Sequence, residues 1–221
     1  MSLHVGIIPD GNRRWAKQQL LNPLKGHEEG VKKIFLTMEW FLKREDISEL
    51  SIFLLSTENY VKRSKKEIDH LEKIGLHFLE VLVEKYKGKI VLNVAGIKDN
   101  VKQDLKQKID YAVSSMQTGS KKLNLLLNYG GRREIIEAVN SLLQENERKV
   151  DESIFKRKLW VSSDVDIVIR TGKEYRISNF LIFQSAYAEF FFLDMYWPEI
   201  TEQTLNQVME DFYARERRFG K

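Results

Sequence analysis

Six short, continuously apolar segments alternate with amphipathic segments along this chain of 221 residues. Strands that are apolar throughout are typical of parallel sheets covered by helices on both faces. The predicted strands are Val5–Ile8, Leu50–Leu55, Lys89–Ala95, Leu123–Leu127, Val165–Ile169 and Glu189–Leu193. The alternation therefore predicts an α/β fold with a central, roughly six-stranded and mainly parallel sheet flanked by helices.

The segments between the strands carry apolar residues at helical spacing. The predicted helices are Glu28–Lys43, Lys65–Tyr86, Asp99–Met116, Arg133–Glu147, Ile177–Ala186 and Glu202–Arg218. No linker-like stretch divides them, so residues 1–221 are predicted to form one domain. The apolar faces of the first two helices can pack as ordinary core or line a groove for a long hydrocarbon, and periodicity leaves both options open.

Composition narrows the classes of protein that this chain can belong to. It has no cysteine, which excludes disulfides and thiolate chemistry and fits a reducing compartment. The sequence predicts neither a signal peptide nor a transmembrane helix, because no apolar run reaches about 18 residues. A cytoplasmic location is therefore expected. The formal net charge of +4 permits an anionic ligand or an anionic membrane surface without establishing either.

The first polar motif, Asp10-Gly11-Asn12-Arg13-Arg14, follows the first predicted strand. Open α/β sheets place their chemistry at the carboxyl ends of strands. Backbone N–H groups and two guanidinium groups converge there as the chain turns toward a helix, which is an arrangement that binds phosphate. A Mg²⁺ ion between Asp10 and a diphosphate would remove the repulsion between the two anions. The alternative is a plain Asp-Gly turn with two solvated arginines.

Three more polar clusters follow predicted strands, and a parallel sheet brings such clusters to one edge. They comprise residues 56–59, 128–132 and 170–176. Arg170 and Arg176 can bind diphosphate oxygens in bidentate fashion, and Ser178 is predicted to open a helix there. The alternative is an exposed loop in which Ser178 only caps that helix. Glu189 lies in an apolar run and needs a partner, either a metal ion or an arginine in a structural ion pair.

Other features carry less information. Lys62 and Arg63 can be the solvated start of a helix. His27 stands alone, without a second His or a Cys at zinc-ligand spacing. The sequence has no Gly-x-x-x-x-Gly-Lys, Gly-x-Ser-x-Gly or Gly-x-Gly-x-x-Gly motif, so ATP hydrolysis, acyl transfer at a serine elbow and dinucleotide binding lack support.

Taken together, the motifs resemble those of the cis-prenyltransferases, the undecaprenyl (di-trans,poly-cis) diphosphate synthase family. The matching segments span nearly the whole chain in the family's order. They are His4-Val5-x-Ile7-Ile8-x-Asp10-Gly11-Asn12-x-Arg14-Trp15-Ala16, Gly26-His27, Ser56-x-Glu58-Asn59, Asn128-Tyr129-Gly130-Gly131-Arg132, Arg170-Thr171-Gly172-x-Glu174-x-Arg176-Ile177-Ser178-Asn179-Phe180-Leu181, Ala186-Tyr187-Ala188-Glu189 and Arg215-Glu216-Arg217-Arg218-Phe219-Gly220.

The resemblance implies a homodimer with an elongated hydrophobic tunnel in each chain. It implies Mg²⁺-dependent, successive condensation of isopentenyl diphosphate onto an allylic prenyl diphosphate, with diphosphate released and a cis double bond made at each step. The chain would thus be a transferase of isoprenoid biosynthesis, with no nucleic-acid partner and with peripheral membrane contact for its lipid product.

The resemblance also assigns roles to individual residues. Catalysis falls to Asp10, Asn59 and His27, and metal binding to Asp10 and Glu189. Substrate binding falls to a larger set: Gly11, Asn12, Arg13, Arg14, Trp15, His27, Ser56, Glu58, Arg63, Arg170, Arg176, Ser178, Arg217 and Arg218.

This sequence departs from the family pattern at three places. Pro23 stands where an arginine is usual, and Lys25 offers only a point charge in its place. Val61 looks inserted, which makes Arg63 the expected phosphate contact. Lys173 and Tyr175 stand where many bacterial members have glycine and histidine.

Three other functions compete with this interpretation. The chain could be a relative that uses a different prenyl acceptor or makes a short product. It could be a noncatalytic lipid-binding subunit of a heteromeric synthase, although it retains Asp10 and Arg14. A basic nucleic-acid-binding protein is disfavoured, because the basic residues gather at strand ends with acidic residues among them.

Overall fold

The computed structural model describes residues 2–97 and 101–215, and it contains one six-stranded sheet in which every pairing is parallel. The strand order is β3-β4-β2-β1-β5-β6. The strands are β1 Leu3–Ile8, β2 Ile47–Ser56, β3 Ile90–Ala95, β4 Lys121–Tyr129, β5 Ile167–Arg170 and β6 Glu189–Phe192. The predicted fold class is confirmed, and each predicted strand is found within a few residues of its expected place.

Helices connect the strands on both sides of the sheet. They are α1 Asn12–Gln18, α2 Pro23–Lys43, α3 Thr57–Lys62, α4 Lys65–Tyr86, α5 Gln103–Ser115, α6 Gly131–Gln144, α7 Glu152–Lys156 and α8 Glu202–Ala214, with a 3-10 turn at Trp197–Glu199. The α2 helix begins earlier than predicted, because the Asn22 side chain accepts a hydrogen bond from the Leu24 N–H and Pro23 suits a first helical turn. The α4 helix has the predicted bounds.

The predicted helix Ile177–Ala186 is wrong, because this segment forms a series of turns. Ser178, Asn179 and Leu181 have positive φ angles of 49°, 68° and 33°, which a right-handed helix does not allow. Phe180 and Leu181 are fully buried, and the Phe180 ring packs directly over the Cα of Gly6 in β1. Tertiary packing has therefore overridden the apolar spacing of this segment.

Three other predicted helices differ from the structure at their ends. The helix predicted as Arg133–Glu147 extends from Gly131 to Gln144. The helix predicted from Asp99 begins at Gln103, and residues 98–100 lie outside the described part of the chain. The helix predicted to end at Arg218 ends at Ala214, because Arg215 has extended backbone angles. The predicted substrate-binding residues Arg217 and Arg218 lie outside the described residues.

Hydrophobic clusters cover both faces of the sheet. One cluster joins β1, β2, β3 and β4 to α2, α4, α5 and α8, with Phe41, Leu82 and Ile109 among its buried members. The other lies on the opposite face and includes Phe53 and Phe180. Burial on both faces explains why the strands are mostly apolar. No helix in the described ranges is long and apolar enough to cross a membrane.

Strand register places the polar clusters at one edge of the sheet. Ile8, the last residue of β1, pairs with Arg170, the last residue of β5. Ser56, the last residue of β2, pairs with Tyr129 of β4. The residues that follow these strands therefore leave the sheet side by side, as the sequence predicted.

Candidate active site

Asp10 and Arg170 form the centre of the site at the ends of β1 and β5. Arg170 Nη2 donates to Asp10 Oδ2 over 2.8 Å, and the Arg170 residue is only 3% exposed. The neighbouring Thr171 hydroxyl accepts from the Asp10 N–H over 3.0 Å and donates to the Asp10 carbonyl over 2.9 Å. Arg170 Nη1 donates to Ser178 Oγ over 2.7 Å. These bonds fix the carboxylate while leaving it partly open to the cleft.

Arg14 and Arg176 are held in the same cleft by a second carboxylate. Glu174 accepts from Arg14 Nη1 over 2.8 Å and from Arg176 Nη1 over 2.5 Å. Arg14 Nη2 also lies 3.1 Å from Asp10 Oδ1, so Arg14 bridges the two carboxylates. The hydrogen bond from Arg176 lowers the pKa of the Glu174 carboxyl below its usual value, so this group stays ionised near neutral pH.

Glu67, near the start of α4, organises a third group of cationic and imidazole side chains. Its carboxylate lies 3.6 Å from Arg13 Nη1, 3.4 Å from Arg63 Nη1 and 3.2 Å from His27 Nε2. Ser64, the residue that caps α4, accepts a hydrogen bond from the Glu67 N–H over 3.3 Å. The cap therefore positions the Glu67 backbone, while its carboxylate contacts three side chains that line the cleft.

His27 is kept neutral by its surroundings. Burial, followed by the positive charge of Arg63, lowers the pKa of its imidazole to about 4, although Glu67 acts in the opposite direction. Since the Glu67 carboxylate accepts from Nε2, the Nδ1 atom is left as the ring's lone-pair nitrogen.

Two glycines let the backbone fold closely around Asp10. Gly11 has a φ of 102°, and a Cβ there would lie 2.5 Å from Tyr196 Cδ1. Gly172 has a φ of 94°, and a Cβ there would lie 2.8 Å from Asp10 Cβ. Both positions therefore need glycine for conformation and for space. The Tyr196 ring also packs against Arg14, with 5.6 Å between the guanidinium carbon and the ring centroid.

The cluster after β2 lies on the other side of the cleft. Ser56 caps α3 by accepting from the Asn59 N–H over 3.1 Å. Glu58 accepts from Asn179 Nδ2 over 2.9 Å, which ties α3 to the turn segment that follows β5. Asn179 also receives hydrogen bonds from the N–H groups of Gly131 and Arg132. The residues that follow β4 thus hold Asn179, and with it the turn segment after β5, in place.

A polar cleft and an apolar cavity meet in this region. The cleft encloses about 950 Å³ and is lined by most of the residues described above. The apolar cavity encloses about 130 Å³ between α2, α4, α5 and the sheet. Five residues line both spaces: Pro9, Asn12, His27, Leu54 and Leu55. This arrangement can hold an anionic head group in the cleft and a hydrocarbon in the cavity.

Comparison with known proteins identifies the family of this chain. The family model for undecaprenyl diphosphate synthases matches residues 8–220. The chain belongs to this family of cis-prenyltransferases. A tritrans,polycis-undecaprenyl-diphosphate synthase of Pyrococcus horikoshii, described as specific for geranylgeranyl diphosphate, is 39% identical over 99% of this chain and 86% of its own length. An isoprenyl transferase of Bacillus cereus is 37% identical over 98% of this chain and 87% of its own length.

Solved structures agree with this assignment. Lavandulyl diphosphate synthase from Lavandula x intermedia, in complex with dimethylallyl diphosphate, superimposes with a TM-score of 0.92 at 30% identity, covering 99% of this chain and 98% of that chain. A probable undecaprenyl diphosphate synthase from Campylobacter jejuni gives 0.85 at 31% identity, covering 100% and 99%. The prenyltransferase described here is thus similar to both over its full fold.

Most residues expected to take part in catalysis or substrate binding in this prenyltransferase line the polar cleft. They are Asp10, Gly11, Asn12, Arg13, Arg14, His27, Ser56, Glu58, Asn59, Arg63, Arg170, Arg176 and Ser178. Their roles stay predictions. Trp15 is half-buried on α1 and is not among the residues that line either space. Ser178 does not open a helix; it accepts the hydrogen bond from Arg170 instead.

Glu189 lies apart from Asp10 within the chain. Glu189 is the first residue of β6 and pairs with Ile167, the first residue of β5. Asp10 lies two residues after Ile8, which pairs with Arg170 at the other end of β5. Its carboxylate accepts from Arg215 Nη1 over 2.7 Å, which is the structural ion pair considered as the alternative for this residue. Asp10 and Glu189 of the same chain therefore do not face a common metal position.

Four residues of the site received no individual role from the sequence, although Thr171 and Glu174 lie in the predicted cluster 170–176. Glu67, Glu174 and Thr171 hold the arginines and Asp10, and Tyr196 packs against the turn at Gly11. A signal existed for Glu67, since Ser64-x-x-Glu67 matches a capping box and Arg63 precedes it by one helical turn. That signal predicts a helix start and gives no indication that the carboxylate faces His27.

The neutral state of His27 predicts a pH dependence of stability. Its pKa is about 4 in the folded protein and about 6.5 in an unfolded chain. Between these pH values only the unfolded state binds the proton. The contribution of neutral His27 to the free energy of unfolding is therefore fully present above pH 6.5 and is lost as the pH falls toward 4. Relative to His27→Gln, the wild-type free energy of unfolding should drop by up to about 3 kcal/mol between pH 7 and pH 4.

Urea unfolding at pH 7, 6, 5 and 4 measures this difference. His77→Gln is the matched control, because His77 is an exposed histidine on the same helix α4 as Glu67. Parallel pH curves for wild type and His27→Gln would contradict the assignment of a depressed pKa to His27.

Proposed function

We propose that this chain condenses isopentenyl diphosphate with an allylic prenyl diphosphate in a Mg²⁺-dependent reaction and builds a poly-cis polyprenyl diphosphate. In each step the allylic C1–O bond breaks, a bond forms from C1 to C4 of isopentenyl diphosphate, a proton leaves C2 and diphosphate departs. The observation that supports this best is a cleft with five arginines that opens onto an apolar cavity. Residues 1–221 would form one catalytic domain.

The two diphosphates would bind at adjacent parts of the cleft. Gly11, Arg13 and Arg14 lie at the start of α1, where backbone N–H groups favour an anion, and would hold the allylic diphosphate. Arg170, Arg176 and Ser178 would hold isopentenyl diphosphate. Arg14 and Arg176 share Glu174, so the two positions are in contact through one carboxylate. Such positioning of both substrates supplies much of the rate acceleration expected of this reaction.

The residues of the cleft fit a Mg²⁺ ion bound together with substrate. The described ranges contain no group of three or more His, Cys, Asp or Glu side chains that could hold a metal alone. Mg²⁺ usually binds one or two carboxylates and completes its shell with water and phosphate oxygens, and Asp10 offers a carboxylate that faces the cleft. The ion would neutralise the charge that develops on the leaving diphosphate. Asp10 would hold it, and Arg170 and Arg14 would orient Asp10.

The hydrocarbon would extend from the cleft into the apolar cavity, which we propose is the start of the family's tunnel. His27 lies at the junction, and its neutral state suits a position beside a hydrocarbon because a buried charge there would be costly. Asn59 and Ser56 line the cleft at the end of β2, close to the same junction. The catalytic roles proposed for His27 and Asn59 are to hold the reacting ends of the substrates there.

Asp10→Asn tests the proposed reaction directly. We expect a Mg²⁺-dependent ladder of products from radiolabelled isopentenyl diphosphate with the wild type, and a rate lower by at least about 10³-fold in the variant, because an amide does not bind Mg²⁺ or hold Arg170 as a carboxylate does. Dimethylallyl, farnesyl and geranylgeranyl diphosphate serve as primers, since similar proteins are described with the first and the last.

Asp46→Asn is the matched control for this experiment. Asp46 is also a partly exposed carboxylate paired with an arginine, Arg44, at 2.5 Å, but it lies at the start of β2 away from the cleft. Wild-type protein that incorporates no isopentenyl diphosphate with any primer would overturn the proposed function. Incorporation that is unchanged in Asp10→Asn would overturn the role of Asp10.

We further propose that the chain forms a homodimer through α6. Ile136, Val139 and Leu143 are exposed at helical spacing on this helix, and Leu143 is 68% exposed. Exposed apolar side chains that share one helix face indicate an interaction surface. In the described strand order, β6 lies at one edge of the sheet.

Leu143→Glu should weaken this dimer, because it places a charge on the apolar face at its most exposed side chain. We expect the dissociation constant in sedimentation equilibrium to rise at least about tenfold, as the loss of a buried leucine and the burial of a charge predict. Val150→Glu is the control, since Val150 is exposed in a loop after α6. A monomeric wild type, or a variant that dimerises as well as the wild type, would contradict this interface.

Contact with a membrane surface is proposed at the rim of the cleft. Leu20 is 96% and Val61 is 84% exposed, and Leu21 is exposed where it lines the cleft. The exposed lysines Lys17 and Lys62 flank these side chains. Exposed apolar residues with adjacent lysines suit an anionic bilayer, which is also where a long polyprenyl product partitions.

Val61→Asp should reduce binding to vesicles of phosphatidylglycerol and phosphatidylcholine. We expect at least about a threefold loss in co-sedimentation at 0.1 M salt, because an inserted valine contributes apolar area and an aspartate is repelled by anionic lipid. Val150→Asp is the control, since Val150 is an exposed valine in the loop after α6. Equal binding of wild type, Val61→Asp and control would contradict the proposed rim.

A further inference from the structure

Gly75 is an unusual residue for its place in the fold. It lies in the middle of α4, a helix that runs from Lys65 to Tyr86 without a break. Glycine is less favourable than every residue except proline in a helix interior, because it loses the most conformational freedom when the helix forms. Gly75 therefore makes α4 less stable than alanine would, unless the surrounding structure requires glycine at this position.

Neither the backbone nor the packing at Gly75 requires glycine. Its φ angle is not positive, and a Cβ there would meet Leu105 Cδ1 at 3.6 Å, which is ordinary van der Waals contact. The glycines of α2 are different. A Cβ at Gly26 would lie 2.0 Å from the Asn12 carbonyl oxygen, and one at Gly30 would lie 2.6 Å from Asn12 Oδ1. Those two glycines permit close approach of α1, whereas Gly75 only leaves space.

The space that Gly75 leaves belongs to the apolar cavity. Gly75 lines this cavity together with Ile74 and Phe78 on α4 and with Leu105 and Ile109 on α5. The same cavity reaches the polar cleft at its other end. A side chain at position 75 would therefore occupy volume that is continuous with the substrate cleft.

We propose that Gly75 is a specificity-determining residue, whose missing side chain leaves room in the cavity for the hydrocarbon of the prenyl chain. This inference rests on the proposed function, because it takes the cavity to be the hydrocarbon site. A leucine at this position would add four carbon atoms to the cavity wall, nearly the carbon count of one isoprene unit. The length of hydrocarbon that the cavity accepts should fall accordingly.

Two variants and one control separate this role from a structural one. Gly75→Ala should raise the thermal midpoint by about 1–3 °C, because alanine favours the helix and has room for its methyl group. Gly75→Leu should shift the main radiolabelled product to a length at least one isoprene unit shorter. His77→Ala changes an exposed position of the same helix and should leave product length unchanged.

A binding measurement tests the inference independently of turnover. Calorimetry with unreactive thiodiphosphate analogues of the dimethylallyl and geranylgeranyl substrates should show that Gly75→Leu weakens the longer analogue at least fivefold more than the shorter one. If the wild type incorporates no isopentenyl diphosphate but this length-dependent loss is seen, the proposed reaction fails and the role of Gly75 stands.

Other outcomes would overturn the inference. Folded, active Gly75→Leu with wild-type product lengths and an equal effect on both analogues would show that position 75 does not limit the hydrocarbon. A lower thermal midpoint for Gly75→Ala would show that glycine is required for folding. If Gly75→Leu does not fold, unchanged product length and unchanged analogue binding in Gly75→Ala would overturn the inference on their own.

Discussion

The hydrogen-bonded pair of Asp10 and Arg170 is the interaction on which the rest of the site depends. It exists because β1 and β5 are adjacent and end in register, so that residues 160 positions apart leave the sheet together. Arg170 is buried, and a buried arginine is costly unless a carboxylate satisfies it. The pair therefore fixes both the join between the two strands and the direction in which the Asp10 carboxylate faces the cleft.

The same requirement explains the other carboxylates. Five arginines near one cleft would repel one another, and Asp10, Glu67 and Glu174 lie among them as internal counter-charges. A diphosphate that enters can take over guanidinium donors from Glu174, which is half-buried and has no partners among the described residues other than Arg14 and Arg176. The site is thus arranged for an anion before one binds, which limits the cost of reorganisation during the reaction.

Much of this arrangement follows from local sequence, and the remainder does not. Continuous apolar strands followed by polar clusters predicted the parallel sheet and the edge at which Asp10, Ser56 and Arg170 meet. The segment 177–186 was predicted as a helix because its apolar spacing fits one, but Phe180 packs on Gly6 and forces left-handed turns. Glu67 was missed because its capping motif describes only the helix start, while its contact with His27 arises from the packing of α4 against α2.

The polar cleft and the apolar cavity meet at His27 and Asn12. Both side chains line the cleft and the cavity, so any charge on them would face an apolar space. The imidazole stays neutral because burial and Arg63 both oppose protonation. Asn12 carries no charge, and the two α2 glycines draw it close to the helix that also carries His27. The chain thus places uncharged polar groups where the arginine-lined cleft ends and the apolar cavity begins. Under the proposed function, this position would separate anion binding from hydrocarbon binding.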